Sequence, residues 1–149
     1  MVEINLSCGK AHNPSEEIAG AFVASKRSID AVVYKFDDID IYNALETAIR
    51  NGVVVRIVFD KTLVKKDEKG FIRKLAKQRK GVSVRKWPRK KMHAKFAVID
   101  SCCVLSGSYN WSESAKKKNT ELVLRFEDAE SVVRFGNLFE KLWKNAEEL

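Results

Sequence analysis

The chain has 149 residues, of which 45% are hydrophobic and 9% aromatic, a composition that predicts one globular domain over residues 1–149 and excludes a disordered chain. No apolar run approaches the roughly 18 residues of a membrane span, and no signal-peptide pattern opens the sequence. The net charge of +8 is local: Lys61 to Lys95 holds 15 Lys and Arg against two acids, while the remaining residues carry −5. This basic segment predicts a polyanionic partner, with a solvated helix face as the alternative.

The three cysteines point to a reducing compartment. Cys8, Cys102 and Cys103 are odd in number and lack the CxxC spacing of zinc sites, so they form a poor disulfide framework. We therefore expect a soluble, cytoplasmic protein with reduced, packed cysteines and no obligatory membrane.

Strand and helix patterns alternate through the first half of the chain. Asn13 is a predicted N-cap, with Pro14 at the first helical position and Glu16 at the capping-box position. Asn51 and Gly52 form a predicted helix stop. The predicted strands are Val2–Leu6, Ile29–Phe36, Val53–Phe59 and Val82–Trp87, and the predicted helices start at Asn13 and cover Asp40–Asn51 and Lys66–Lys80.

The second half is predicted to be richer in strands. Its predicted elements are the strands His93–Asp100 and Cys102–Ser106, a turn over Gly107–Trp111, the strand Thr120–Phe126 and a last amphipathic helix capped by Asp128. These patterns predict an α/β fold in which a mixed β-sheet is flanked by helices on both faces.

One cluster of residues indicates chemistry on phosphorus. In a strand, His93 and Lys95 share a face, so an imidazole would lie beside a fixed ammonium. After the turn, Ser108 and Asn110 can project together and add hydroxyl and amide donors, and Gly107 would let backbone approach a ligand closely. Such a set offers a nucleophile and donors for a phosphoryl oxyanion.

The stretch from His93 to Asn110 resembles the HxKxxxxDxxxxxxGSxN signature of the phospholipase D superfamily at all six fixed positions. The length of the whole chain, the order of its elements and its single motif resemble the small nuclease branch, which is related to the cardiolipin hydrolases. The family pairs two one-motif subunits, so the resemblance implies a homodimer with one shared active site.

The resemblance also implies the site residues and their roles. His93 of one subunit would form a phosphohistidine, and His93 of the other would protonate the leaving oxygen and then activate water. Lys95, Ser108 and Asn110 would hold the phosphoryl oxygens, and Glu121 would orient the histidine. The signature includes Asp100 among the catalytic candidates, but it faces away from Lys95, so we expect a structural or electrostatic role. No metal and no cofactor are expected.

Residues around the motif are candidates for substrate binding. Arg89, Lys90 and Lys91 precede it within the basic segment, and Gly107 lies inside it. Trp87 and Trp111 flank the motif and would either stack bases or pack in the core, with packing favoured for Trp111. Lys116, Lys117 and Lys118 would either extend the phosphate-binding surface or lie in a solvated loop, and His12 is expected to be an ordinary loop histidine.

The sequence therefore predicts a metal-independent phosphodiesterase that hydrolyses nucleic acid, DNA or RNA, as an endonuclease with a preference for single strands. One alternative is a phospholipid phosphodiesterase of the cardiolipin type. Another is a nucleic-acid-binding module without catalysis.

Overall fold

The computed structural model describes residues 2–6, 13–78 and 80–149, which form a mixed β-sheet covered by helices. Cys8 and His12 lie outside these ranges. The strands are β1 (Val2–Leu6), β2 (Ser28–Val33), β3 (Val54–Asp60), β4 (Val82–Trp87), β5 (Phe96–Ile99), β6 (Cys103–Gly107), β7 (Leu122–Phe126) and β8 (Glu147–Glu148). The helices are α1 (Pro14–Ala24), α2 (Ile39–Arg50), α3 (Lys61–Lys65), α4 (Phe71–Lys77), α5 (Glu113–Lys118) and α6 (Ala129–Asn145).

The eight strands lie in the order β1-β7-β6-β5-β2-β3-β4-β8. β2, β3 and β4 pair in parallel, and the chain crosses from each to the next through helices. The other neighbours pair antiparallel. The prediction of a mixed sheet is therefore confirmed.

Two buried clusters hold helices to opposite faces of this sheet. On one face, α1, α2 and α4 bury Phe22, Leu45 and Leu75 against the central strands. On the other face, α6 buries Val132 and Phe139 against the other side of the same strands. Burial of a large apolar side chain contributes about 1.5–3 kcal/mol, so these two clusters are the main stabilising elements of the fold. The predicted cover of helices on both faces is confirmed.

The predicted helix starts are found where a local cap specifies them. The Asn13 side chain accepts a hydrogen bond from the Ser15 backbone N–H (3.0 Å), and Pro14 is the first helical residue. Asp128 caps α6 in the same way by accepting from the Ser131 N–H (2.8 Å).

The prediction of one helix over Lys66–Lys80 is wrong, because the segment is broken by a turn. Asp60 caps the short helix α3, and α4 begins only after Gly70, which adopts a left-handed conformation with φ of +71°. Asp67 then accepts a hydrogen bond from the Arg73 N–H (3.0 Å). The apolar spacing was interpreted correctly within α4, where Phe71, Ile72 and Leu75 are buried.

Three further elements differ from the predictions. The strand predicted over His93–Asp100 is shorter, since β5 starts at Phe96 and His93 lies in the preceding loop. Lys116 to Lys118 belong to helix α5 rather than to a loop, with Ser112 as its cap. The two-residue strand β8 at the edge of the sheet was not predicted.

Candidate active site

The sheet register brings the polar residues of the motif to one edge. Because β5 and β6 are antiparallel, the start of β5 lies beside the end of β6, with Phe96 opposite Ser106. Gly107, at the end of β6, pairs with Val123 near the start of β7. Phe96 also lies opposite Val32 near the end of β2. Residues just outside these strand ends therefore meet at this edge: Tyr34, Lys95, Ser108 and Glu121.

The loop that holds His93 is tied to the end of β3. The buried Asp60 carboxylate accepts a hydrogen bond from the Met92 N–H (2.7 Å), one residue before His93. Lys61, the next residue along, donates to the Pro88 carbonyl (2.7 Å) at the start of the same loop. The histidine is exposed, so its position depends on these backbone contacts.

His93 and Lys95 lie together, although a loop rather than a strand places them. The buried Lys95 donates from Nζ to the His93 carbonyl oxygen (2.6 Å), and the same Nζ lies 3.3 Å from His93 Nδ1. The partial burial of the imidazole lowers the pKa of His93. The ammonium groups of Lys95 and Lys91 lower it further, whereas the Asp60 carboxylate raises it. The ring is therefore largely neutral at pH 7, as a nucleophile requires.

Burial lowers the pKa of Lys95. The negative charge of Glu121 raises it, and the positive charge of Lys91 lowers it further. Glu121 is itself buried and links the second half of the motif to this lysine. It accepts hydrogen bonds from the Ser108 hydroxyl and from Asn119 Nδ2, the latter at 2.8 Å. The bond from Glu121 to His93 that the resemblance implies stays a prediction.

Ser108 and Asn110 flank a residue that anchors the turn. Tyr109 is fully buried and donates its hydroxyl hydrogen bond to Asp38 (2.7 Å). Ser108 is exposed and accepts from the Leu122 N–H (3.0 Å). Asn110 is half-buried, and its Oδ1 atom is buried with no hydrogen-bond partner among the described residues.

Gly107 is required for a reason other than the predicted approach of a ligand. A Cβ atom at this position would lie 1.9 Å from the Leu122 carbonyl oxygen and 2.9 Å from its carbonyl carbon. The close approach is therefore to the backbone of β7. Any side chain at position 107 would push apart the two strands on which Ser108 and Glu121 depend.

Trp111 is placed in the core and not on a binding surface. It is 2% exposed and packs edge-on against Phe22 and Phe36, with ring centroids 5.3 and 5.9 Å apart. The packing alternative therefore describes this residue, and its inclusion among the substrate contacts is corrected. Trp87 is half-buried, packs against the α6 side of the core and has the Arg89 guanidinium 5.9 Å from its ring centre.

Asp100 lies at the opposite end of β5 from Lys95. Its carboxylate accepts hydrogen bonds from the backbone N–H groups of Lys26 (2.8 Å), Arg27 (2.6 Å) and Ser28 (2.9 Å). Burial would raise the pKa of Asp100, but these bonds and the Arg27 charge hold it below its ordinary value. The structure therefore places this carboxylate outside the His93 cluster and gives it a role in joining β2 to β5.

The basic residues divide into those that form ion pairs and those for which no acidic partner is found among the described residues. Arg89, Lys90 and Lys91 are exposed in the loop before His93. On α5, by contrast, Lys116 pairs with Asp40 and Lys117 with Glu113. The cationic surface near the motif is therefore centred on the loop of residues 89–91.

Tyr34 and Asp60 are two functional candidates that the sequence analysis did not single out. The Tyr34 ring lies 4.8 Å from the His93 ring between centroids, and Lys91 Nζ lies 4.5 Å from the centre of the same ring. Tyr34 belongs to an ordinary β-forming stretch, which carries no signal of this contact. The signal for Asp60 was an acid at the end of an apolar strand, next to a helix start.

Within residues 13–78 and 80–149, no group of three or more His, Cys, Asp and Glu side chains is arranged to hold a metal ion. No helix in the described part of the chain has the length and apolarity to cross a bilayer.

Comparison with known proteins identifies the family. Residues 18–143 match the family model described as cardiolipin synthase, PLD-like domain. The chain therefore belongs to this phospholipase D-like family, a superfamily of phosphodiester-cleaving enzymes, and the resemblance predicted from the signature is confirmed.

Individual relatives share part of the sequence, and solved structures share the fold. The chain is 32% identical over 142 residues to the mitochondrial cardiolipin hydrolase of Homo sapiens, covering 92% of this chain and 54% of that protein. It thus spans about half the length of that relative. Its fold matches Nuc from Salmonella typhimurium with a TM-score of 0.88 at 23% identity, over 100% of this chain and 97% of the other. NucT from Helicobacter pylori matches with a TM-score of 0.85 at 22% identity over the whole of both chains.

Proposed function

We propose that this protein is a metal-independent phosphodiesterase that hydrolyses nucleic acid through a phosphohistidine, at an active site shared by two subunits. The observation that supports this most directly is the cluster of an exposed His93, whose pKa is lowered, against a buried Lys95, backed by Ser108 and Glu121. Family membership supports the same chemistry.

In the first step, a His93 ring nitrogen attacks phosphorus, the P–N bond forms and the P–O bond to the leaving group breaks. Because Lys95 Nζ lies beside Nδ1, we assign Nε2 as the attacking atom. A bound phosphoryl group gives the Lys95 ammonium an anionic acceptor in place of Nδ1, which leaves Nδ1 free to hold the ring proton. Lys95 and the donors of Ser108 and Asn110 then stabilise charge on the non-bridging oxygens.

The leaving oxygen needs a proton, and a second histidine supplies it. His93 is the only histidine among the described residues, and the sequence has two in all. Because the chain resembles the single-motif branch of the family, which pairs two subunits, we assign the acid to His93 of a second copy, related by a two-fold axis through the site. In the second step that ring, now neutral, removes a proton from water, the water oxygen attacks phosphorus, and the P–N bond breaks.

Charge favours nucleic acid as the substrate. The exposed cations at residues 89–91 stand next to His93, within the basic segment from Lys61 to Lys95. Such contacts track a phosphate backbone and release counterions, so binding should weaken steeply with salt. Preference for single strands and a cytoplasmic location stay part of the proposal.

A second candidate is a phosphodiesterase acting on cardiolipin-type phospholipids. It is favoured by the 32% identity to a mitochondrial cardiolipin hydrolase. The same histidine chemistry would serve both substrates, so substrate choice has to be measured. A binding module without catalysis is the third candidate, against which the complete signature argues.

The test is cleavage of labelled single-stranded DNA, duplex DNA, RNA and cardiolipin vesicles in EDTA by wild type and His93→Ala. We expect nucleic-acid cleavage that falls by about 10⁴-fold or more in the variant, while nucleic-acid binding is largely kept. Cleavage of cardiolipin alone would replace the proposal with the second candidate. Cleavage retained by His93→Ala would contradict the phosphohistidine.

The same variant tests the shared site. Wild-type and His93→Ala chains co-expressed in equal amounts should give about one quarter of the wild-type activity per dimer, because only dimers with two intact histidines work. About one half would indicate independent sites. Full activity of a monomer in sedimentation-controlled assays would exclude the shared mechanism.

A further inference from the structure

A cavity of about 310 Å³ lies next to the candidate active site. One wall is the segment that follows β2, from Tyr34 to Asp37, and the other includes Leu63 in the middle of α3, the turn Lys66–Lys69 and Ile72 on α4. Its volume falls within the range of small-molecule binding pockets. Tyr34 is shared, because its ring lines this cavity and also contacts the His93 ring. A group in the cavity would therefore be a near neighbour of the reacting phosphorus.

The lining combines an apolar floor with a mixed polar rim. Phe36, Leu63 and Ile72 supply apolar surface, and Tyr34 supplies an aromatic ring. The rim holds three lysines and three acids, which balance one another: Lys35, Lys66 and Lys69 with Asp37, Asp67 and Glu68. A second phosphate would call for an excess of cations, and an acyl chain would call for a rim without charges.

A flat aromatic group with both hydrogen-bond donors and acceptors matches this lining better. Asp67 is 5% exposed, its Oδ1 atom is buried and its Oδ2 atom accepts from the Arg73 N–H (3.0 Å), so this carboxylate belongs to the wall of the cavity. The acceptors within reach of a ligand are the Asp37 and Glu68 carboxylates, and the donors are the lysines of the same lining.

We propose that this cavity binds the base of the nucleotide adjacent to the scissile phosphate, with Tyr34 as the stacking surface between base and His93. This inference rests on the proposed nuclease function and adds a base-binding subsite to it. The base would supply a ring face to Tyr34 and hydrogen-bonding groups to exposed side chains of the lining such as Glu68. Stacking of a base on one aromatic side chain should raise kcat/KM for a base-bearing substrate by roughly tenfold or more.

The test uses short oligonucleotides of the sugar type that the enzyme cleaves, with one hydrolysable diester and all other linkages blocked. In two further substrates the nucleotide on either the 5′ or the 3′ side of that diester is abasic. For wild type, kcat/KM should fall by roughly tenfold for the abasic residue on one side only.

Leu63→Trp should fill the cavity without touching the catalytic cluster. We expect it to remove the difference between base-bearing and abasic substrates, a ratio that is measured within the variant and is therefore independent of any change in its overall rate. Lys65→Trp is the matched control, because it adds the same ring to α3 at an exposed residue outside the cavity lining, and it should keep the difference. If circular dichroism shows Leu63→Trp unfolded, Leu63→Phe replaces it with a smaller expected loss.

The outcomes separate this inference from the proposed function. Equal rates for base-bearing and abasic substrates on both sides in wild type would overturn the base subsite while leaving the nuclease intact. A folded Leu63→Trp that keeps the wild-type difference would overturn it as well. Failure to cleave any oligonucleotide, with hydrolysis of cardiolipin, would overturn both.

Discussion

The two ends of strand β5 hold residues of the same signature in opposite ways. At the end that lies beside the carboxyl ends of β6 and β2, His93 is exposed and Lys95 is held mainly by the His93 carbonyl. At the other end, the Asp100 carboxylate accepts three backbone N–H groups. At the first end, hydrogen-bonding groups remain available to a ligand. At the second end, the Asp100 carboxylate already accepts hydrogen bonds from the backbone of the fold. A signature therefore marks residues that the fold needs as well as residues that the chemistry needs.

Asp60 belongs both to the scaffold and to the site, and its removal should have the largest effect of the variants considered below. Asp60→Ala leaves the buried Met92 N–H without an acceptor and frees the loop before His93. We expect about 1–3 kcal/mol of lost stability, by denaturant unfolding. Misplacement of His93 by about 1 Å would also lower kcat by about 10²-fold.

Asp60→Asn separates position from charge. It keeps an acceptor for Met92 but removes the negative charge that raises the pKa of His93. The acid limb of kcat/KM should therefore move to lower pH, while stability changes less than in Asp60→Ala. An unchanged pH profile together with a normal kcat would show that Asp60 has no bearing on the histidine.

Asp100→Ala should reduce stability and leave the chemistry intact. Loss of the acceptor for three backbone N–H groups of the α1–β2 connection is expected to cost about 1–2 kcal/mol, since the carboxylate is half-buried. Activity per folded molecule should stay within about twofold of wild type. A loss of kcat at full stability would place Asp100 in the mechanism after all.

The pH dependence of stability tests the role of Asp100 in a second way. The pKa of Asp100 is lower in the fold than in the unfolded chain, so its contribution is present above the unfolded value and is lost as pH falls through the folded one. Wild type should therefore lose stability in acid more steeply than Asp100→Ala. Parallel acid unfolding curves would contradict this assignment.

Features that depend on residues close together in the sequence could be predicted from it. Asn13 and Asp128 were identified as caps because a cap contacts its own helix within three residues. The single helix predicted from Lys66 is wrong before Phe71, because the left-handed backbone of Gly70 interrupts the helix. The signature residues were identified by type and spacing, which are properties of the sequence itself.

Contacts between distant segments escaped the same reasoning. Tyr34 reaches His93 only because β2 pairs with β5, a register that no local pattern states. Trp111 turns into the core because Phe22 and Phe36 come from other parts of the chain. The reason for Gly107 likewise lies in β7. Which side of a segment faces the site is therefore the part that required the structure.

The smallest expected effect concerns Lys91, and it measures how far the open end of β5 is tuned by charge. Lys91 is exposed, lies over the Tyr34 ring and lowers the pKa of His93. Catalysis in the proposed dimer needs one neutral and one protonated His93, so kcat/KM should be bell-shaped, with an optimum on the acid side of the ordinary histidine value of about 6.5. Lys91→Ala removes one positive charge and should move that optimum upward by a few tenths of a pH unit.

Lys90→Ala is the matched control, because it removes an equal charge from the neighbouring exposed position, and no effect of Lys90 on the His93 pKa is resolved. Both variants should weaken nucleic-acid binding and reduce its salt dependence by a similar amount, since each removes one cation from the same loop. Only Lys91→Ala should shift the pH optimum. An equal shift in both would mean that the histidine responds to the overall field of the basic segment and not to the ammonium held over Tyr34.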